Sequence, residues 1–148
     1  MSQLARNAFN KKYAMPNSKV MGTISNTIAK KLTKLVITGN KDDIIEIIDH
    51  INTILGTRIS DISADIFSEP FTSKSQISQD YENPTGVFFI VTQGNADLIV
   101  GPNKLNMGLN KIMFVNERNM YNINKPNKTN LVMLSGRFAW NKEKHGET

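Results

Sequence analysis

Val87-Phe88-Phe89-Ile90-Val91 decides the fold. Five consecutive β-branched and aromatic residues, bounded by turn formers, read as a buried strand. Gln93-Gly94-Asn95 offers a turn, Leu98-Ile99-Val100 returns, and Gly101-Pro102-Asn103 turns again. Working outward, further strands are expected at residues 112–115, 120–123 and 131–134, with a last one at Phe138-Ala139-Trp140. The turns lie too close together for helical crossovers, which argues against a parallel sheet. Residues 86–141 therefore read as an antiparallel β-meander or small barrel, and 142–148 as a C-terminal tail.

Upstream of that stretch the period changes. Residues 1–16 carry no clean repeat and read as a basic N-terminal arm, and 17–67 as a helical region. Met21, Ile24, Ile28, Leu32 and Leu35 recur every three or four residues, predicting a helix capped at Asn17 or Ser18 and stopped by Gly39. A second helix is expected from an Asn40 cap to Gly56. Ile44, Ile45, Ile47, Ile48, Ile51, Ile54 and Leu55 supply its apolar face. Ile59, Ile62, Ile66 and Phe67 keep helical spacing up to Pro70, predicting a short third helix over 58–67. Residues 68–85, with two prolines and many Ser and Gln, read as a polar loop acting as a lid, linker or partner-binding segment. The fold class is thus α+β: basic arm, two to three helices, then antiparallel strands.

The chain has 148 residues and 16.6 kDa, one domain's worth. Cysteine is absent, which excludes disulfides, a thiol nucleophile and Cys-ligated zinc. Two histidines leave little for an imidazole metal site. The apolar runs are too short to cross a membrane. Asparagine occurs 18 times and isoleucine 17 times, as AT-rich coding produces. The net charge of +5 conceals segregation: +8 over residues 1–41, −8 over 42–97 and +5 over 98–148. Basic segments neutralise phosphates or lie against acidic surface of the same or another copy.

No nucleotide loop, zinc helix, calcium loop or nucleophile elbow is present. Glu46 and His50 are one helical turn apart, but with no nucleophile or second carboxylate constellation beside them they read as an exposed helix pair. From Gly101 to Lys128 the chain can be written in sevens, with Asn103-Lys104, Asn110-Lys111, Glu117-Arg118 and Asn124-Lys125 at matching places. Such a step would set bases along one sheet edge, beside Phe114, Tyr121, Phe138 and Trp140.

These features predict a non-enzymatic structural subunit of a larger assembly, a bacteriophage virion component held by its arm and loop to neighbouring copies. The expected location is the virion, or host cytoplasm during assembly, without secretion. The alternative is a nucleic-acid-binding protein using the basic N-terminal region and a basic, aromatic sheet to meet DNA or RNA. Partner-binding candidates are Arg6, Lys11, Lys12, Lys19, Lys30, Lys31, Lys34, Lys104, Lys111, Arg118 and Lys125. No catalytic residue, metal, cofactor, membrane or small-molecule substrate is expected.

Overall fold

The computed structural model describes residues 3–146. In chain order they form α1 (Gln3–Tyr13), β1 (Ser18–Thr23), α2 (Asn26–Thr38), α3 (Ile44–Leu55), β2 (Ile59–Phe67) and β3 (Phe71–Lys74). There follow β4 (Thr85–Gln93), β5 (Asp97–Val100), β6 (Asn103–Asn106), β7 (Lys111–Asn116), β8 (Tyr121–Lys125), β9 (Leu131–Ala139) and α4 (Lys142–His145). Helices and antiparallel strands are mixed as expected, but there is neither a meander nor a closed barrel. One sheet has the order β1-β7-β4-β9-β2, the other β3-β8-β5-β6, and every ladder between these strands is antiparallel.

The run that decides the fold has no polar face because both sides of β4 are covered. Phe88 and Ile90 join Ile28, Leu32, Ile47 and Ile51 beneath the helices. Phe89 and Val91, with Met133 of the same sheet, meet Leu98 and Ile123 from the opposite sheet. The molecule is therefore layered as helices, sheet, sheet, with a core in each gap. Ile47 and Ile51 are wholly buried, each stabilising the fold by about 1.5–3 kcal/mol relative to exposure.

Several local expectations are corrected. The arm is not free: α1 seats Phe9, and Met15 follows it, in the core under the helices. The first long helix begins later than its apolar spacing suggests. Residues 18–23 pair with β7 as an edge strand, and Ser25, not Asn17 or Ser18, accepts from the Ile28 N–H as cap. Its Gly39 stop holds, with φ of 74° and its N–H on the Leu35 carbonyl. Asn40 does not cap α3; its side chain instead accepts from the Asp42 N–H.

Residues 58–67 are strand, not helix. A bulge between Ser60 and Ser63 on the ladder to β9 sets Ile59, Ile62 and Ala64 against the same core. One extra residue in a two-residue period leaves a three-residue step that imitates a helix. The polar loop is likewise shorter than expected, since residues 71–74 form β3 against β8 and Thr85 opens β4. The seven-residue pattern is split: Lys104 and Lys125 lie on the four-stranded sheet, Lys111 on the five-stranded one, and Arg118 follows β7. The pattern marks no shared edge.

Candidate functional site

The gap between the sheets is apolar at its centre and polar at one end. Alternation along β4 and β9 sends Val87 and Phe89, and Ser135 and Arg137, to the same face of the sheet, near where β7 finishes and β8 starts. There Asp61, Val87, Phe89, Tyr121, Ser135 and Arg137 line a cleft of about 190 Å³. It is smaller than the 300–1,000 Å³ usual for drug-sized ligands.

Arg137 organises the cleft. Its Nε and Nη2 donate to Glu117 Oε1 at 3.1 and 2.6 Å, and Nη1 donates to Asp61 Oδ2 at 3.4 Å. The Glu117 carboxylate thereby strengthens the guanidinium's hold on its proton. Side-chain exposure is 49% for Arg137 but 13% for Glu117, so the arginine presents a face while its main partner is sheltered. Asp61 reaches Arg137 from the β2 bulge, where its φ is 51°. A left-handed aspartate is uncommon, and such outliers gather at functional positions.

Tyr121 closes the opposite wall, edge-on to Phe89 with ring centroids 5.7 Å apart. Burial first, then the Glu117 charge, pushes the phenol's pKa above 10.0, so it remains a hydrogen-bond donor at neutral pH. Thr85 Oγ1 approaches Glu117 Oε2 at a long 3.5 Å. The cleft thus offers donors (Arg137, Tyr121, Ser135), an acceptor (Asp61) and an aromatic wall, with Glu117 holding Arg137 from beside it.

The rim is fastened by main chain. The Ser75 N–H donates to the Tyr121 carbonyl, and the Ser78 N–H to the Glu117 carbonyl. Arg118, fully buried, donates from Nε to the Asp80 carbonyl at 2.8 Å and from Nη1 and Nη2 to the carbonyls of Thr85 and Asn83. Its guanidinium also lies 4.4 Å from the Phe9 ring centroid, tying α1 to the same strap. Residues 75–85 are therefore a pinned border to the cleft.

The predicted basic residues are dispersed. Arg118 and Lys125 are inside, Lys125 donating to the Glu69 and Asn127 carbonyls, so neither reaches a partner's phosphate. Lys19 donates to the His145 carbonyl, and Lys31 pairs with Glu46 at 2.7 Å. Lys12 lies over Tyr13, and Lys104 pairs with Asp97 at 3.6 Å. Arg6 is half-buried on α1, while Lys11, Lys30, Lys34 and Lys111 are exposed. Oppositely charged segments thus meet within the chain at Lys31–Glu46 and Arg137–Asp61. Nor do Glu46 and His50 form a couple: His50 Nε2 accepts the Ser25 N–H.

Of the residues that do converge, Tyr121 and Glu117 figured in the sequence reading only within the basic, aromatic pattern, and Asp61, Ser135 and Arg137 did not figure in it. Two signals point to them in hindsight. Glu117 breaks the Asn-Lys pattern in a segment with few acids, and Arg137 is the charged residue within the apolar run of β9.

No family model matches the chain, and no curated protein matches it in sequence. Solved structures do align with it. ThoJ, described as a non-heme monooxygenase in a nickel complex, aligns at TM-score 0.56 over 89% of this chain and 77% of its own, with 8% identity. WlaRA, a TDP-fucose-3,4-ketoisomerase from Campylobacter jejuni, gives 0.42 over 61% and 67%, with 13% identity. A cupin protein from Bacteroides fragilis gives 0.41 over 60% and 73%, with 9% identity. At 8% identity the likeness to ThoJ is one of fold alone.

That likeness overturns the expected bacteriophage virion subunit, and with it the expectation that the chain is not an enzyme. The architecture is shared with a protein described as a monooxygenase. The nucleic-acid alternative loses its surface as well: Phe114, Phe138 and Trp140 lie in the core under the helices and cannot stack bases.

A resident metal of the kind in the nickel complex does not fit the residues between the sheets. Phe89, Val91, Leu98, Met107, Met113, Ile123 and Met133 fill that space with no imidazole or carboxylate among them. Among the described residues no group of three His, Asp or Glu side chains is arranged to hold an ion. His145 is committed elsewhere, its Nε2 2.6 Å from the Leu55 carbonyl and its Nδ1 accepting from the Asn141 N–H.

Proposed function

We propose that this chain is a small-molecule-binding protein of cupin-like fold whose cleft takes a compact, uncharged, hydroxyl-bearing ligand of the monosaccharide or polyol class. The observation that carries this reading is Arg137 held between Glu117 and Asp61 in a cleft walled by Tyr121 and Phe89. One guanidinium against two carboxylates leaves a formal charge of −1, which disfavours an anion. Donors and acceptors alternate around a small volume, as hydroxyl groups require, because each is donor and acceptor at once. The aromatic wall suits the apolar face of a sugar ring.

Where the ligand is also transformed, the groups at hand serve proton transfer. Tyr121, whose phenol burial keeps protonated, is the donor, and the neighbouring Glu117 carboxylate an acceptor.

The test is a two-dimensional NMR titration with xylose and glucose as neutral probes, glucuronate as the anion and glucosamine as the cation. Saturable shifts at Tyr121, Ser135 and Arg137 with a neutral sugar, abolished by Arg137→Ala and weakened by Tyr121→Phe, support the reading. Binding restricted to glucuronate, or no saturable shift with either neutral sugar, rejects it.

A further inference from the structure

The short α4 closes the end of α3. The Lys144 ammonium donates to the Gly56 carbonyl, and the His145 ring lies against the Leu55 carbonyl, so acceptors left over at the helix end are met from far along the chain. His145 is buried against Phe138 and Trp140, with ring centroids 5.3 and 5.2 Å away. It also walls a cavity of about 530 Å³ beside Ala14, Met15 and Pro16. Trp140 is buried too, and its Nε1 donates to the Tyr13 carbonyl.

Both ring nitrogens of His145 have fixed roles. Nε2 faces a carbonyl at 2.6 Å and carries the proton, whereas Nδ1 accepts from the Asn141 N–H at 2.9 Å and must be bare. Only the uncharged imidazole meets both demands. A second ring proton would set N–H against N–H in a site only 4% exposed. The charged groups around the ring add to that conflict. Lys19 of β1 donates to the His145 carbonyl, Lys11 of α1 lines the same cavity, and Lys142 and Lys144 share α4. Glu143 is the one acid of α4, and it is exposed. From β9 the ring meets Phe138, and from α3 the Leu55 carbonyl.

We propose that His145 is an acid-released latch: its neutral ring holds α4 against the core under the helices, and protonation frees residues 141–146. Imidazole is the side chain whose charge ordinarily changes between about pH 5 and 8. Because the second proton favours the released form, the latch is closed at neutral pH and lost as pH falls through that range. Release uncovers Trp140 and removes one wall of the cavity. The latch is separate from the inter-sheet cleft and does not depend on its ligand.

Trp140 is the only tryptophan of the chain, so its fluorescence reads the latch directly. Between about pH 7.5 and 5.5 its emission should move reversibly to longer wavelength. Amide exchange at residues 142–146 should rise at least about tenfold over the same interval, while the amides of β4 stay protected. His50 is the other histidine and serves as the control. His50→Gln should leave the transition in place, and His145→Gln should abolish it, with melting at neutral pH verifying that each variant folds. A transition that persists in folded His145→Gln overturns the latch. The native chain decides the matter even where that variant does not fold. An emission flat across the interval, a shift that His50→Gln removes, or one accompanied by loss of β4 protection overturns the latch.

Discussion

Arg118 and Asp80 show how single side chains hold the border of the cleft. The Arg118 guanidinium spends its donors on three main-chain carbonyls of one strap, and burial only lowers its proton affinity within a range where arginine stays charged. Arg118→Met keeps the apolar stem but strands those carbonyls. It should cost about 2–4 kcal/mol in urea denaturation and raise amide exchange across residues 78–85; an unchanged midpoint would refute the clamp. Asp80 accepts the N–H groups of Glu82 and Asn83 at 2.8 and 3.1 Å and the Asn83 side chain at 3.0 Å. The hydrogen bond from Glu82 leads in holding its pKa below 3.8. For a depressed carboxylate, the stabilisation is present above the ordinary value and is lost as pH falls through the lower, folded one. An NMR titration should place the Asp80 midpoint below 3.8, with Glu82 and Asn83 amide protection lost over the same interval.

Elements are specified by what covers them. β4 runs between β7 and β9, and its glycine at position 86 lies under the Phe114 ring: a Cβ there would come within 2.0 Å of ring carbon and 2.8 Å of the Val115 carbonyl. Gly86→Ala forces the ring or the backbone to move and should destabilise the fold by about 2–3 kcal/mol. Gly101→Ala meets nothing within 4 Å, but its φ of 57° adds backbone strain, so about 1 kcal/mol is expected. Thermal denaturation of the pair gives the comparison, and equal losses would contradict the ring contact. The bulge of β2 matters differently, since it carries Asp61 to Arg137. The same irregularity hid the strand: Ile59, Ile62 and Ile66 read as a helix because sequence spacing does not reveal where a ladder slips.

For the whole molecule, a three-layer arrangement separates two gaps of different chemistry. Helices seal one face of the central sheet, while the smaller sheet seals most of the other and leaves a polar end. The centre of the inter-sheet gap is hydrocarbon and thioether, a poor setting for a metal ion. Protein incubated with nickel or ferrous ion and then desalted should retain well under one equivalent by elemental analysis, with melting temperature unchanged. Stoichiometric retention abolished by Glu117→Gln would show a site in the cleft. Little of that cleft was legible beforehand. Its four polar members come from β2, β8 and β9, and no local pattern announces which strand ends will face one another.

The sequence by itself determined the mixture of helices and antiparallel strands, the buried strand at 87–91, and the glycine stops at positions 39 and 56. Each rests on local physics: β-branched and aromatic runs, short turn spacing, and left-handed helix ends. Only the tertiary structure decided that residues 18–23 and 59–67 are strands, that the sheet is double, and that Arg118 is inside while Arg137 stands in a cleft. Those outcomes depend on pairing between distant segments. There, the hydrogen bonds and buried area gained across the ladder outweigh the local preference of any one segment.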